Sequence, residues 1–258
     1  MNRSSLSYKS IILTIVLLIS PAFVLIAGPY PESEIQDIYS SGAYSRFFGT
    51  IYNASPLHEI ETQLSSLKNW ISESDYSSTS QYISVVRAEM IYAKHLILED
   101  YCKDLYKAEE VLRQGLSVLS QIPETDRDIE FLLVEGELNG SYYLLDQGKY
   151  LFSYGVKSNN LTKKIWDLNK ENPRSIILKC NQLIYTPPLF GGSIKKARAL
   201  LKGIVDEPLL AVDEYTVYSC LGFIEAKLKH KETAFSYYQK ALKIYPHNLY
   251  IQSLIAEL

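Results

Sequence analysis

The chain has 258 residues, of which 47% are hydrophobic and 21% charged, and its formal net charge is −3. This composition is that of a globular protein with a sizeable core, and it excludes the basic excess expected of a nucleic-acid-binding protein. Glycine and proline are sparse, at 12 and 10 residues, which favours an all-helical fold over a β-sandwich.

Charge is unevenly distributed along the chain. Residues 31–172 carry 13 basic and 22 acidic side chains, whereas residues 173–258 carry 11 basic and 7 acidic ones. An acidic middle and a basic end could steer two different partners. Solvated helix faces would explain the same pattern equally well.

The amino terminus has the layout of a secretory signal. Arg3 and Lys9 precede an apolar run from Ile11 to Ala27 that is interrupted by Ser20 and Pro21. We expect residues 1–27 to be a signal peptide or an N-terminal anchor, and the protein to be exported to a periplasmic or extracytoplasmic location. Membrane contact is then expected only if this segment is uncleaved.

The remaining residues, 28–258, are expected to form one helical domain, because helix-starting and helix-ending residues recur and strand alternation is nearly absent. The expected elements are a helix at about 31–53, helices at 55–70, 81–99 and 103–119, helix pairs within 126–171, 173–205 and 215–247, and a capping helix within 248–258.

Residues 215–247 contain a spaced set of small, aromatic and helix-ending residues. Small residues let antiparallel helices approach, tyrosines fill the wedges between them, and proline stops the second helix. The set is Tyr218, Leu221, Gly222, Ala234, Tyr238, Ala241 and Pro246.

This set resembles the tetratricopeptide repeat (TPR) family, with Glu225 as a departure at a position where an aromatic residue is usual. The resemblance implies an all-α, TPR-like helical-hairpin solenoid with a C-terminal capping helix. It also implies that a partner binds on the concave face of the first helices.

The segment at 186–193 is too long for a TPR turn. It contains two prolines, apolar Leu189 and Phe190, and Gly191-Gly192, while Ser193 is expected to cap the next helix. Three interpretations follow: a longer connection packed against the solenoid, an anion site beside the lysines of the next helix, or a loop that lines or closes a ligand groove.

Residues 172–205 are similar to the T component that accompanies bacterial TRAP transporters, in the order aromatic residue, proline-rich stretch, Gly-Gly and Lys-Lys-Ala helix. Members of that family are periplasmic TPR-like proteins that are thought to contact a substrate-binding partner and a hydrophobic ligand. The lipidated cysteine of many members has no counterpart here.

No enzyme motif is present in the sequence. The four histidines lack metal-ligand spacing, and there is no nucleophile elbow or dinucleotide fingerprint. We therefore expect no catalytic residues, no metal site and no cofactor. The three cysteines are expected to be buried free thiols, although a bridge between Cys180 and Cys220 is conceivable.

The expected function is that of an exported TPR scaffold or adaptor for an exported or membrane-associated protein, as an accessory to a transport system, without nucleic-acid binding. The expected contact residues are Tyr185, Phe190 and Phe223. The alternative is a carrier of a small hydrophobic ligand, held in a groove that the 186–193 insert closes.

Overall fold

The structure is a computed structural model that describes residues 33–258, so the expected signal peptide or anchor at 1–27 lies outside it. All regular elements of the described part are helical, which confirms the predicted all-α fold. The α-helices are α1 (Glu34–Ser40), α2 (Gly42–Tyr52), α3 (Leu57–Ser72), α4 (Ser78–Leu98), α5 (Leu105–Ser120), α6 (Ile129–Leu145), α7 (Gln147–Tyr150), α8 (Val156–Leu168), α9 (Pro173–Tyr185), α10 (Ile194–Ile204), α11 (Ala211–Lys227), α12 (Lys231–Ile244) and α13 (Leu249–Ala256).

Four helical hairpins follow one another from α4 onward. The first helices α4, α6, α9 and α11 pack against the second helices α5, α8, α10 and α12, and each first helix also contacts the first helix of the next hairpin. Helix α13 packs on α12 at the carboxyl end. This is the arrangement of a helical-hairpin solenoid with a capping helix.

The last hairpin, α11–α12, agrees with the spacing of small residues. A Cβ atom on Gly222 would lie 2.4 Å from Cε1 of Tyr238, so only glycine leaves room for this ring. Ala234 and Ala241 are fully buried, and α12 ends at Ile244, two residues before Pro246. The first helix begins at Ala211, four residues earlier than the repeat pattern indicated.

The expectation of one helix at 31–53 is wrong, because the chain breaks at Ser41. This residue has an extended backbone, with ψ 153°, and its hydroxyl accepts a hydrogen bond from the Tyr44 backbone N–H at 3.2 Å. Ser41 thus ends α1 and caps α2. The break lets the two short helices pack separately into the core.

One segment of the second hairpin, α6–α8, departs from α-helical geometry. Residues Leu151–Gly155 form a π-helical turn between α7 and α8, and Phe152 within it is 86% exposed. No helix within residues 33–258 combines the length and the apolar character needed to cross a membrane.

Candidate functional site

Tyr185 and Phe223, two of the three predicted contact residues, meet on the surface of the last two hairpins. Tyr185 is the final residue of α9 and is 66% exposed, while Phe223 lies half-buried in α11. Their ring centroids are 6.0 Å apart. Because α9 and α11 are neighbouring first helices, the two rings form a surface that spans two repeats.

A second pair of residues continues this surface one helical turn away. The Cys220 thiol donates to Oδ1 of Asn181 at 3.5 Å, and these residues lie one turn before Phe223 and Tyr185 on the same helix faces. Lys227 completes the surface, with Nζ 5.2 Å from the Phe223 ring centroid. We call Asn181, Tyr185, Cys220, Phe223 and Lys227 the aromatic surface.

The aromatic surface offers recognition groups and no activated nucleophile. Burial raises the pKa of the Cys220 thiol to about 12, so the thiol is protonated at neutral pH. All three cysteines are free, Cys102 and Cys180 are buried, and Cys220 is half-buried. The conceivable bridge between Cys180 and Cys220 is therefore not formed in this structure.

Phe190, the third predicted contact residue, stands apart from the other two. Its side chain is 75% exposed on the insert, and it makes no ring contact with Tyr185 or Phe223. Leu189 beside it is 88% exposed. The two apolar side chains of the insert therefore project into solvent, although the Ser193 N–H at its end donates to the Leu183 carbonyl at 2.8 Å.

The sequence did not predict a buried polar cluster on which the four first helices converge. Arg174 at the start of α9 pairs with Glu130 and, through Nη2 at 3.2 Å, with Glu137 of α6. Nη2 of Arg87 in α4 lies 3.7 Å from Oδ1 of Asp213 in α11. A basic residue in the first helical turn, where acids are usual, is the only sequence signal of this cluster.

Helix α1 covers this polar cluster. The guanidinium carbons of Arg87 and Arg174 lie 4.2 Å and 5.3 Å from the centroid of the Tyr39 ring. Burial opposes charge on Arg174, but the carboxylates of Glu130 and Glu137 raise its pKa well above the ordinary value. The chain's own helix α1 therefore covers this part of the first helices, whereas Tyr185 of the aromatic surface is 66% exposed.

Two open clefts lie away from the aromatic surface and the insert. The larger has a volume of about 320 Å³ and the smaller about 250 Å³. The larger is lined by Leu116, Leu119, Ser120, Arg127, Phe131, Glu135 and Lys157, and the smaller by Thr50, Glu59, Thr62 and Gln63. Neither cleft is an enclosed apolar cavity behind Phe190.

No family model and no curated protein matches the sequence. Among solved structures, the chain is similar to the HusA haemophore from Porphyromonas gingivalis, with 20% sequence identity and a TM-score of 0.46. The alignment covers 71% of this chain and 91% of that chain.

Proposed function

We propose that the protein is an exported adaptor that binds a partner protein through the aromatic surface. The observation that carries this proposal is the contact between Tyr185 and Phe223, which joins two repeats on an accessible face. Tyrosine and phenylalanine supply large contact areas at a low cost in side-chain entropy, and aromatic residues are enriched at protein interfaces.

The neighbouring groups favour a partner segment with apolar and acidic side chains. The two rings would contact apolar side chains, and the Lys227 ammonium beside Phe223 would attract a carboxylate. Asn181 supplies an amide for hydrogen bonding at the same surface. A helical or extended segment of the partner would satisfy these groups together.

Export and an accessory role in transport are parts of this proposal that rest on sequence alone. The basic residues followed by the apolar run from Ile11 to Ala27 support export. The similarity of residues 172–205 to the T component of TRAP transporters supports the accessory role.

A carrier of a small hydrophobic ligand remains the alternative. A carrier of this kind encloses most of its ligand in a mainly apolar pocket. The two clefts described above are open and have charged linings, and Phe190 does not close a groove over the aromatic surface. The geometry therefore favours the adaptor.

The test uses a photo-crosslinking residue placed at Tyr185 or Phe223 in the producing cells, with Tyr106 as the matched control. Tyr106 is 83% exposed and lies on α5, in another hairpin. We expect both sites on the aromatic surface to crosslink to the same exported protein and Tyr106 not to do so. Combined Tyr185→Ala and Phe223→Ala changes should weaken binding of that protein by about tenfold or more.

Equal crosslinking at Tyr106, or none at either site, would contradict the adaptor proposal. Native mass spectrometry of the purified protein separates the two functions. A co-purified apolar molecule that is lost in the Tyr185→Ala and Phe223→Ala variant, without a protein partner, would support the carrier.

A further inference from the structure

The tip of the insert, residues 187–192, consists entirely of proline, leucine, phenylalanine and glycine. It contains no polar side chain, and Leu189 and Phe190 are 88% and 75% exposed. Isolated exposed apolar residues are common on soluble proteins, but two adjacent large ones on a rigid turn are not explained by packing within the chain.

Three of the four backbone N–H groups in this tip donate to carbonyls within the tip. The N–H groups of Phe190 and Gly192 both donate to the Pro187 carbonyl, at 2.9 and 3.2 Å, and that of Gly191 donates to the Pro188 carbonyl at 3.1 Å. Prolines have no N–H group to satisfy. A loop of this kind can leave water at a low cost, because few of its backbone donors lose a hydrogen bond.

All charged residues of the hairpin that carries the tip are basic. Residues 173–204 contain six lysine and arginine residues and no aspartate or glutamate. Arg174 and Arg198 form ion pairs with other helices, whereas the other four have no ion-pair partner within residues 33–258. These four are Lys179, Lys195, Lys196 and Lys202.

Two of these lysines lie close to each other and to the tip. Lys195 and Lys196 are exposed in the first turn of α10, and at most about 17 Å of extended chain separates Phe190 from Lys195. Burial lowers the pKa of Lys179; the charge of Asp167 opposes this shift, and the charges of Lys196 and Lys163 add to it. The exposed lysines beside the tip therefore complement an anionic surface.

We propose that the insert docks on an anionic lipid membrane, with Leu189 and Phe190 in the interfacial region and Lys195 and Lys196 on the headgroups. Apolar side chains combined with nearby lysines are the combination that binds anionic bilayer surfaces. A narrow tip whose backbone N–H groups are mostly hydrogen-bonded suits a bilayer better than a protein interface, which buries about 800 Å² on each partner.

This proposal goes beyond the adaptor function and does not depend on it. The aromatic surface and the tip carry different residues, so one protein could bind a membrane and a partner at the same time. The sequence led us to expect membrane contact through the amino-terminal segment alone, and the insert would be a second contact.

The experiment must report on the tip itself, because the apolar run from Ile11 to Ala27 would favour lipid wherever it is present. We would prepare the full chain with Phe190→Trp and mix it with vesicles of equal parts phosphatidylglycerol and phosphatidylcholine, with and without brominated acyl chains. The matched control is Phe152→Trp, at a position 86% exposed on another hairpin. The wild-type chain, with its two tryptophans, gives the background.

We expect brominated lipid to quench the tryptophan at position 190 by about twofold beyond the background, and the one at position 152 not at all. The further changes Lys195→Gln and Lys196→Gln should weaken the vesicle affinity measured by this quenching by about tenfold or more. Raising the salt concentration should weaken it as well.

Absence of quenching at position 190, or equal quenching at position 152, would overturn the proposal. Quenching that is equally strong in vesicles of phosphatidylcholine alone would refute the part that assigns the lysines to anionic headgroups. Shielding of position 190 by a co-purified protein, and not by vesicles, would show that the tip belongs to a protein interface.

Discussion

Glu225 occupies a position at which the TPR pattern usually has an aromatic residue, and its surroundings explain the difference. Its buried carboxylate accepts from Nε of Arg198 at 2.6 Å and lies 2.8 Å from Nδ1 of His230. Burial alone would raise the pKa of Glu225, but these hydrogen bonds hold it below the ordinary value. The charged group thus joins α10, α11 and the start of α12 where a ring would only fill space.

His95 provides a pH-dependent contribution to stability. The ring is buried in α4, with Nε2 2.6 Å from the Tyr101 hydroxyl, and burial lowers the pKa of His95 to about 4. An unfolded histidine has a pKa of about 6.5. The folded state therefore resists protonation, so its stabilisation is fully present above about pH 6.5 and is lost as the pH falls to about 4.

We expect the free energy of unfolding to fall by about 1–3 kcal/mol between pH 7 and pH 4.5 through this residue. Urea denaturation at a series of pH values would measure the change. His95→Gln should flatten that part of the profile, whereas His58→Gln, at an exposed position, should leave it intact. An unchanged profile in the His95 variant would show that other groups cause the pH dependence.

At the scale of single elements, the sequence predicted most where the signals are local. The hairpin α11–α12 was recognisable because Gly222, Ala234 and Ala241 are small where Tyr238 and the facing helices need room. The Ser193 cap was also predicted, and its hydroxyl accepts from the Lys196 N–H at 3.3 Å. The break at Ser41 was missed, because serine is compatible with a helix interior as well as with a cap.

Adding a single methyl group at Gly192 tests how closely the backbone of the insert is packed. A Cβ atom on Gly192 would lie 1.7 Å from the Thr186 carbonyl oxygen, which belongs to the backbone and cannot rotate away. Gly192→Ala should therefore displace the loop and weaken the hydrogen bond from the Ser193 N–H to the Leu183 carbonyl, now 2.8 Å long. We expect a loss of about 1–3 kcal/mol in the free energy of unfolding.

The matched control for this change is Gly203→Ala, since a Cβ atom there would meet no other atom within 4 Å. This variant, on the same hairpin, should be as stable as the wild type or slightly more so, because alanine favours a helix over glycine. Denaturant unfolding of both variants gives the comparison. Equal stability of the two would show that the loop adapts to the extra methyl group.

At the scale of the whole molecule, the sequence could not show that the end of α2 meets the segment after α12. The Asn248 amide donates to the Tyr52 carbonyl at 2.7 Å, across a separation of 196 residues. The His247 N–H donates to Oδ1 of Asn53 at 3.0 Å. Nothing local in either segment specifies the other as its partner. The repeat spacing therefore predicts the hairpins but does not predict this contact, which we call the closure.

The closure has a consequence for folding cooperativity. Solenoids are stabilised mainly by contacts between neighbouring repeats, so a terminal repeat can unfold without the remainder. Here the Tyr52 ring lies 4.9 Å from the Tyr215 ring and 5.0 Å from the Tyr245 ring, measured between centroids. Helix α2 therefore holds the last hairpin, and we expect the described part of the chain to unfold in one step.

Tyr52→Ala should remove these ring contacts, with a loss of about 2–4 kcal/mol, and release the last hairpin. Native-state hydrogen exchange would show this directly, because amides in α12 should then open at a lower free energy than amides in α4. Tyr82→Ala, at an exposed position of α4, is the control. In this variant the amides of α12 and α4 should open at the same free energy. If α12 opens before α4 in the wild type as well, the solenoid unfolds repeat by repeat and the closure does not couple its ends.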